Sequence, residues 1–136
     1  MSPDEPCCCG GGVDYSQCCG PLHLGIRGAT TALELMRSRY CAFAVGDAGY
    51  LLDTWDRGTR PQRLDLDPEV AWLRLQIVDT EGGGPDEATG IVEFRAQYRR
   101  DGRRQLLEER SRFVRNADGH WRYRDGQIGT GPAGGS

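Results

Sequence analysis

Residues 7–20 read Cys-Cys-Cys-Gly-Gly-Gly-Val-Asp-Tyr-Ser-Gln-Cys-Cys-Gly and hold five of the chain's six cysteines. The segment is too short and too rich in glycine to build a hydrophobic core. Something other than burial must fold it. Adjacent cysteines cannot bridge one another without strain, so a set of local disulfides fits poorly. Iron–sulfur clusters take four thiolates, but usually at wider separations and often with a distant fourth ligand. A zinc ion takes four thiolates at about 2.3 Å in a tetrahedron, which a Cys-x-Cys pair, a glycine turn and a Cys-Cys pair can supply. Glycines at 10–12 let the backbone adopt positive φ and curl around the ion. Spacing alone does not choose four ligands from the five thiols.

The surroundings favour metal over disulfides. The start, Met-Ser-Pro-Asp-Glu-Pro, is acidic with no apolar run behind it, unlike a secretory signal. No segment reaches the roughly 20 apolar residues that span a bilayer. The expectation is a cytoplasmic protein, where clustered cysteines more often bind metal than pair. All 17 basic residues are arginine, which a G+C-rich coding bias explains. Residues 1–94 carry 7 arginines against 15 acids, a net of −8, and residues 95–136 carry 10 against 5, a net of +5. The C-terminal part is therefore basic although the whole chain is acidic.

Beyond the cysteines the period of the sequence is first helical, then two. Thr31 and Glu34 fit a capping box. Leu33, Met36, Tyr40 and Phe43 recur at helical spacing, and Gly46 can close the helix in a left-handed conformation. Asp47 can cap a second short helix carrying Tyr50, Leu51, Leu52 and Trp55. Four strand-like runs follow. The first places Leu73, Leu75 and Ile77 on one face with Trp72 and Arg74 opposite. In the second, Val92, Phe94, Ala96 and Tyr98 share a face. The third does the same with Leu107, Glu109, Ser111 and Phe113, and the last carries Trp121 and Tyr123. Asp101-Gly102 predicts a two-residue hairpin turn. The order is a knuckle at 1–24, an α+β domain of two helices and an antiparallel meander at 25–126, and a tail at 127–136 with almost nothing to bury, expected to be disordered.

The cysteine segment resembles the SEC-C zinc motif, in which Cys-Pro-Cys-Gly-Ser-Gly is followed by a tyrosine and then Cys-Cys-Gly or His-Cys-Gly. That resemblance implies one structural Zn2+ held by Cys7, Cys9, Cys18 and Cys19, with Tyr15 packed behind the site. Cys8 stands where the motif usually has proline, so it reads as a spare thiol, able to exchange with Cys7 or Cys9. His23 reads as a surface residue. With "LMRSRYCAF", "DAGYLLDTW", "WLRLQIVD", "EERSRFVR" and "WRYRDG", residues 5–126 resemble the YchJ family of bacterial proteins. The resemblance implies a cone-shaped domain of the nuclear-transport-factor-2-like (NTF2-like, cystatin-like) type, its helices packed on a curved sheet. Two departures stand out. Many members carry a second SEC-C motif where this sequence has "GTGPAGGS", and many have histidine where this one has Asp56.

A cone of this kind encloses a pocket, for which Glu109, Ser111, Tyr40 and Trp55 are candidates. A carboxylate among apolar residues could act as a base, with Tyr40 as a hydrogen-bond donor. An arginine partner or a wet rim would instead make Glu109 structural. Cys41 reads as packing, and no Ser/His/Asp set can be assembled. Arg99, Arg100, Arg103 and Arg104 surround the Asp101-Gly102 turn as a basic finger able to meet phosphates, or simply to keep the tip solvated. The leading expectation is a non-catalytic binding or adaptor module. Its knuckle docks a protein or ribosomal partner, as SEC-C motifs elsewhere do, and its cone holds a small ligand. The alternative is an enzyme with Glu109 as general base.

Overall fold

The structure, a computed structural model, describes residues 5–10 and 12–128. A 3-10 turn at Tyr15–Gln17 leads into the one-turn helix α1 (Cys19–His23), then α2 (Ala32–Val45) and α3 (Ala48–Asp53). Strands β1 (Ala71–Gly82), β2 (Thr89–Arg100), β3 (Arg103–Arg115) and β4 (Trp121–Ile128) follow as one antiparallel sheet in sequential order. The α+β architecture is the one the periodicity predicts.

The helix ends form as their chemistry dictates. Thr31 Oγ1 accepts the backbone N–H of Glu34 at 3.0 Å. Glu34 turns back to the N–H of Thr30 at 2.8 Å, one residue earlier than a standard capping box, and takes an ion pair from Arg27 at 2.7 Å. Gly46 closes α2 at φ 82° and Asp47 caps α3 through the N–H of Tyr50. The buried face of α2 is wider than the predicted stripe, for Leu35, Ser38, Arg39, Cys41 and Ala42 are buried as well. The reason is packing on several sides: α2 touches β1, β2 and β4 as well as α1 and α3.

In β1 the simple alternation fails. Trp72 pairs with Tyr98 and Arg74 with Gln97, so Leu73 is an extra residue in a β-bulge. A bulge reverses which face later residues occupy. Trp72 therefore joins Leu75 and Ile77 against the core, while Leu73 is exposed. The predicted faces of β2 and β3 are as observed, with Val92, Phe94, Ala96, Ser111 and Phe113 buried. Asp101 and Gly102 have φ of 53° and 74°, the paired positive values of a tight hairpin. Gln127 and Ile128, read as the start of the tail, pair with Arg110 and Glu109 in the sheet. The remainder of the tail lies outside the described residues. One buried cluster runs from Cys7, Cys9 and Cys19 through Leu35, Met36 and Tyr40 to Phe94, Phe113 and Trp121.

Candidate metal centre and cone cavity

The knuckle is wound by its backbone. Cys7 N–H donates to the Val13 carbonyl at 2.9 Å and Gly10 N–H to the Cys7 carbonyl at 3.1 Å. Gly10 and Gly12 take φ of 78° and 86°, which returns the chain over its own start. Cys18 precedes α1 and Cys19 is its first residue. Gly20 is required where it stands, because a Cβ there would lie 2.7 Å from the Tyr15 carbonyl oxygen and 3.2 Å from its ring.

This winding brings the thiols together. Cys9 Sγ lies 3.5 Å from Cys18 Sγ, and Cys18 Sγ lies 3.9 Å from Cys19 Sγ. Cys7 Sγ lies 3.5 Å from the sulfur of Cys41, which comes from α2. The sulfurs of Cys7, Cys9, Cys19 and Cys41 all fall within 4.8 Å of one another, and all four residues are buried. Ligand sulfurs around tetrahedral zinc are about 3.8 Å apart when each bond is about 2.3 Å, so the spacing suits such an ion.

A cation binding there would have to displace protons from crowded, buried thiols. Burial, then the sulfurs of Cys9 and Cys7, push the Cys18 thiol up to about 12. A hydrogen bond to Cys9, with burial, drives Cys19 far above the ordinary thiol range. Thiols crowded by thiols ionise together only when a cation shares the space, and metal binding then releases their protons. The donor set thus fits a thiophilic dication. Arg37 adds positive charge nearby, its guanidinium donating to the Cys9 carbonyl at 3.0 Å.

Two residues differ from the expectation. Cys8 and Cys41, read as a spare thiol and a packing residue, are bonded to each other as a disulfide. The knuckle folds back onto α2 and leaves their Cα atoms 5.7 Å apart, within bridging range although 33 positions separate them. His23 is a half-buried strut rather than a surface residue. Its Nε2 donates to the Ser38 carbonyl at 2.8 Å, and its Nδ1 accepts the Tyr15 hydroxyl. The carbonyl can only accept, which fixes the proton on Nε2 and leaves neither nitrogen for a metal.

A cavity of about 300 Å³ opens between α2, the end of α3 and the sheet. Met36, Phe43, Trp72, Phe94 and Leu107 make its apolar wall. Tyr40, Trp55, Glu109 and Ser111, the four sequence candidates, all line it, and Tyr123 joins them. Glu109 Oε2 accepts the hydroxyls of Ser111 and Tyr123, so its partners are hydroxyl groups rather than an arginine. Burial, and then the Glu109 charge, hold the Tyr123 phenol well above its ordinary value.

Arg39 was not a sequence candidate, yet it also lines the cavity and is only 4% exposed. Its Nη1 donates to the Leu51 carbonyl and the Thr54 hydroxyl, both at 2.7 Å. Its guanidinium carbon sits 4.6 Å from the centre of the Tyr123 ring and 5.2 Å from that of Trp55. Burial pulls it down to about 10. The signal for Arg39 was its place three residues after Met36 and four before Phe43, inside the apolar stripe. The indole N–H of Trp55 is buried without a partner.

The basic finger is exposed. Arg99 pairs across the hairpin with Arg104 and Arg100 with Arg103, so like charges face each other at the tip. Arg100 meets Asp67 at 3.1 Å. No helix among the described residues is long and apolar enough to cross a membrane.

A cysteine knuckle carried on helices packed over a four-stranded sheet defines a SEC-C motif protein with an NTF2-like domain. Residues 31–126 match the YchJ middle NTF2-like domain. A UPF0225 protein of Streptomyces coelicolor is 54% identical over 126 residues, spanning 93% of this chain and 98% of its own. Another, from Deinococcus radiodurans, is 46% identical over 90% of this chain and 89% of its own. Among solved structures, a SEC-C motif containing protein from Rhodopseudomonas palustris superposes with a TM-score of 0.78 at 38% identity, covering 89% of this chain and 96% of that one. One from Psychrobacter arcticus gives 0.72 at 27% identity, covering 91% and 81%. The chain belongs to the YchJ (UPF0225) family.

Proposed function

We propose that the chain is a cytoplasmic two-site binding protein. The knuckle carries one structural Zn2+ on Cys7, Cys9, Cys18 and Cys19 and offers a docking surface to a protein or ribosomal partner. The cone holds a small, largely apolar ligand. Four thiolates fill zinc's coordination sphere, so the ion folds the knuckle and activates no water. The observation that carries this reading is the separation of the two sites. Among the described residues, the cavity lining contains neither cysteine nor histidine. Its volume is at the lower end of ligand pockets, which run from about 300 Å³ upward, and suits a molecule of one or two rings.

Saturation-transfer NMR with indole as a neutral probe tests the cone. Saturable binding is expected, lost in Ala96→Phe, which fills the cavity from β2. No transfer to indole in the folded, metal-loaded chain would count against a ligand-holding cone.

A second reading is an enzyme with Glu109 as general base and Tyr40 as donor, favoured by the position of Glu109 on the cavity wall. A loss of turnover of tenfold or more in Glu109→Gln, with the fold intact, is its signature once a substrate class is found. The binding reading leads because Glu109 is the only carboxylate lining the cavity among the described residues, and two hydroxyls already hold it.

A further inference from the structure

We propose that in the reduced protein Cys41 is a metal ligand, completing with Cys7, Cys9 and Cys19 a four-thiolate site shared between the knuckle and α2. The inference rests on the metal reading of the knuckle and goes beyond it by changing the ligand set.

Three observations carry it. Cys41 is fully buried, and its sulfur lies 3.5 Å from that of Cys7. Its sulfur falls with those of Cys7, Cys9 and Cys19 inside one 4.8 Å envelope. Cys18, by contrast, is only partly buried and lies outside that envelope, although its sulfur is 3.5 Å from that of Cys9 and 3.9 Å from that of Cys19. A thiolate drawn from a packed helix is held in place by the fold, whereas Cys18 depends on the knuckle alone.

The disulfide decides which set operates. While Cys41 is bonded to Cys8 its sulfur is no thiolate, and Cys18 supplies the fourth ligand. A dithiol reductant breaks that bond: its two sulfurs become a disulfide, two electrons pass to the protein, and Cys8 and Cys41 each gain a proton. Cys41 then gives up its proton on binding the cation. The knuckle stays tied to α2 in both states, by a covalent bond in one and through the ion in the other.

The test measures zinc by elemental mass spectrometry, and thiolate-to-metal charge transfer after cobalt(II) substitution, in the full-length chain with and without a dithiol. Reduced Cys18→Ser is expected to keep one zinc, and the same variant with the Cys8–Cys41 bond intact to bind it at least tenfold more weakly. Cys8→Ser/Cys18→Ser, in which Cys41 is always free, should hold zinc without reductant. Cys18→Ser/Cys41→Ala should lose it in both conditions. The proposal is overturned if reduced Cys18→Ser and Cys8→Ser/Cys18→Ser both lose zinc as fully as Cys18→Ser/Cys41→Ala. A wild-type chain without zinc would instead overturn the metal reading itself.

Discussion

Cys8 and Cys41 are joined through their sulfurs across 33 positions, fastening the knuckle to the middle of α2. Closing a loop of that length removes chain entropy worth about 3–4 kcal/mol from the unfolded state. Metal-free protein should therefore melt at lower temperature after reduction by a dithiol, and Cys41→Ala should melt at that lower temperature without reductant. A thiol titration of denatured, unreduced chain should find four reactive cysteines, and six after reduction. Equal melting before and after reduction would remove the bond from the account.

The glycine after the Cys-Cys pair sets a second expectation. A methyl group at Gly20 would press on the Tyr15 carbonyl 2.7 Å away. Backbone gives way poorly, so Gly20→Ala should cost about 1–3 kcal/mol. It should also weaken metal retention, because Gly20 follows Cys19 directly and any shift that relieves the clash with Tyr15 displaces that thiol. Thermal melting with parallel metal analysis checks both. Tyr15→Phe removes only the hydroxyl given to His23 and should cost less.

Thr31 is the N-cap of α2, which lines the cavity through Met36, Arg39 and Tyr40 and meets the knuckle through Cys41. Thr31→Ala should lower stability by about 1 kcal/mol, and Thr31→Ser should be nearly neutral. Urea denaturation of the two variants decides the matter.

The Tyr123 phenol donates to Glu109 at 3.1 Å, and burial beside that carboxylate holds its pKa above the usual value near 10. An acid whose folded-state pKa is raised adds stability that is complete below the unfolded value. That stability is lost as pH rises through the unfolded value toward the folded one. The folded chain should therefore show phenolate absorbance rising well above pH 10, smaller by one tyrosine in Tyr123→Phe, where Tyr15, Tyr40 and Tyr50, also raised by burial, still titrate late. Glu109→Gln should move the Tyr123 part of that rise down. A Tyr123 that titrates like free tyrosine would show that the pair is not formed.

Much of this was legible from local chemistry. Thr31, Gly46, Asp47 and Asp101-Gly102 act on their immediate neighbours, and their roles follow from residue type and position. The clustering of thiols followed from their density between Cys7 and Cys19. What escaped depends on long-range approach. The Cys8–Cys41 bond and the His23 strut exist because the knuckle folds against α2, which spacing does not record. Trp72 reached the cavity wall only because Leu73 bulges out of register, and alternation alone assigns it to the other face. A charged residue within an apolar stripe looks like an interruption, so the pattern alone does not mark Arg39. It is buried because backbone and hydroxyl oxygens and two aromatic rings receive it.

The most direct test of the account is the metal content of the chain, purified without chelator or nickel and measured by elemental mass spectrometry. The account predicts one zinc per chain in the wild type and in Cys8→Ser, and none in Cys19→Ser, whose sulfur belongs to both ligand sets. Zinc-free wild-type protein, or Cys19→Ser carrying as much zinc as the wild type, would contradict it.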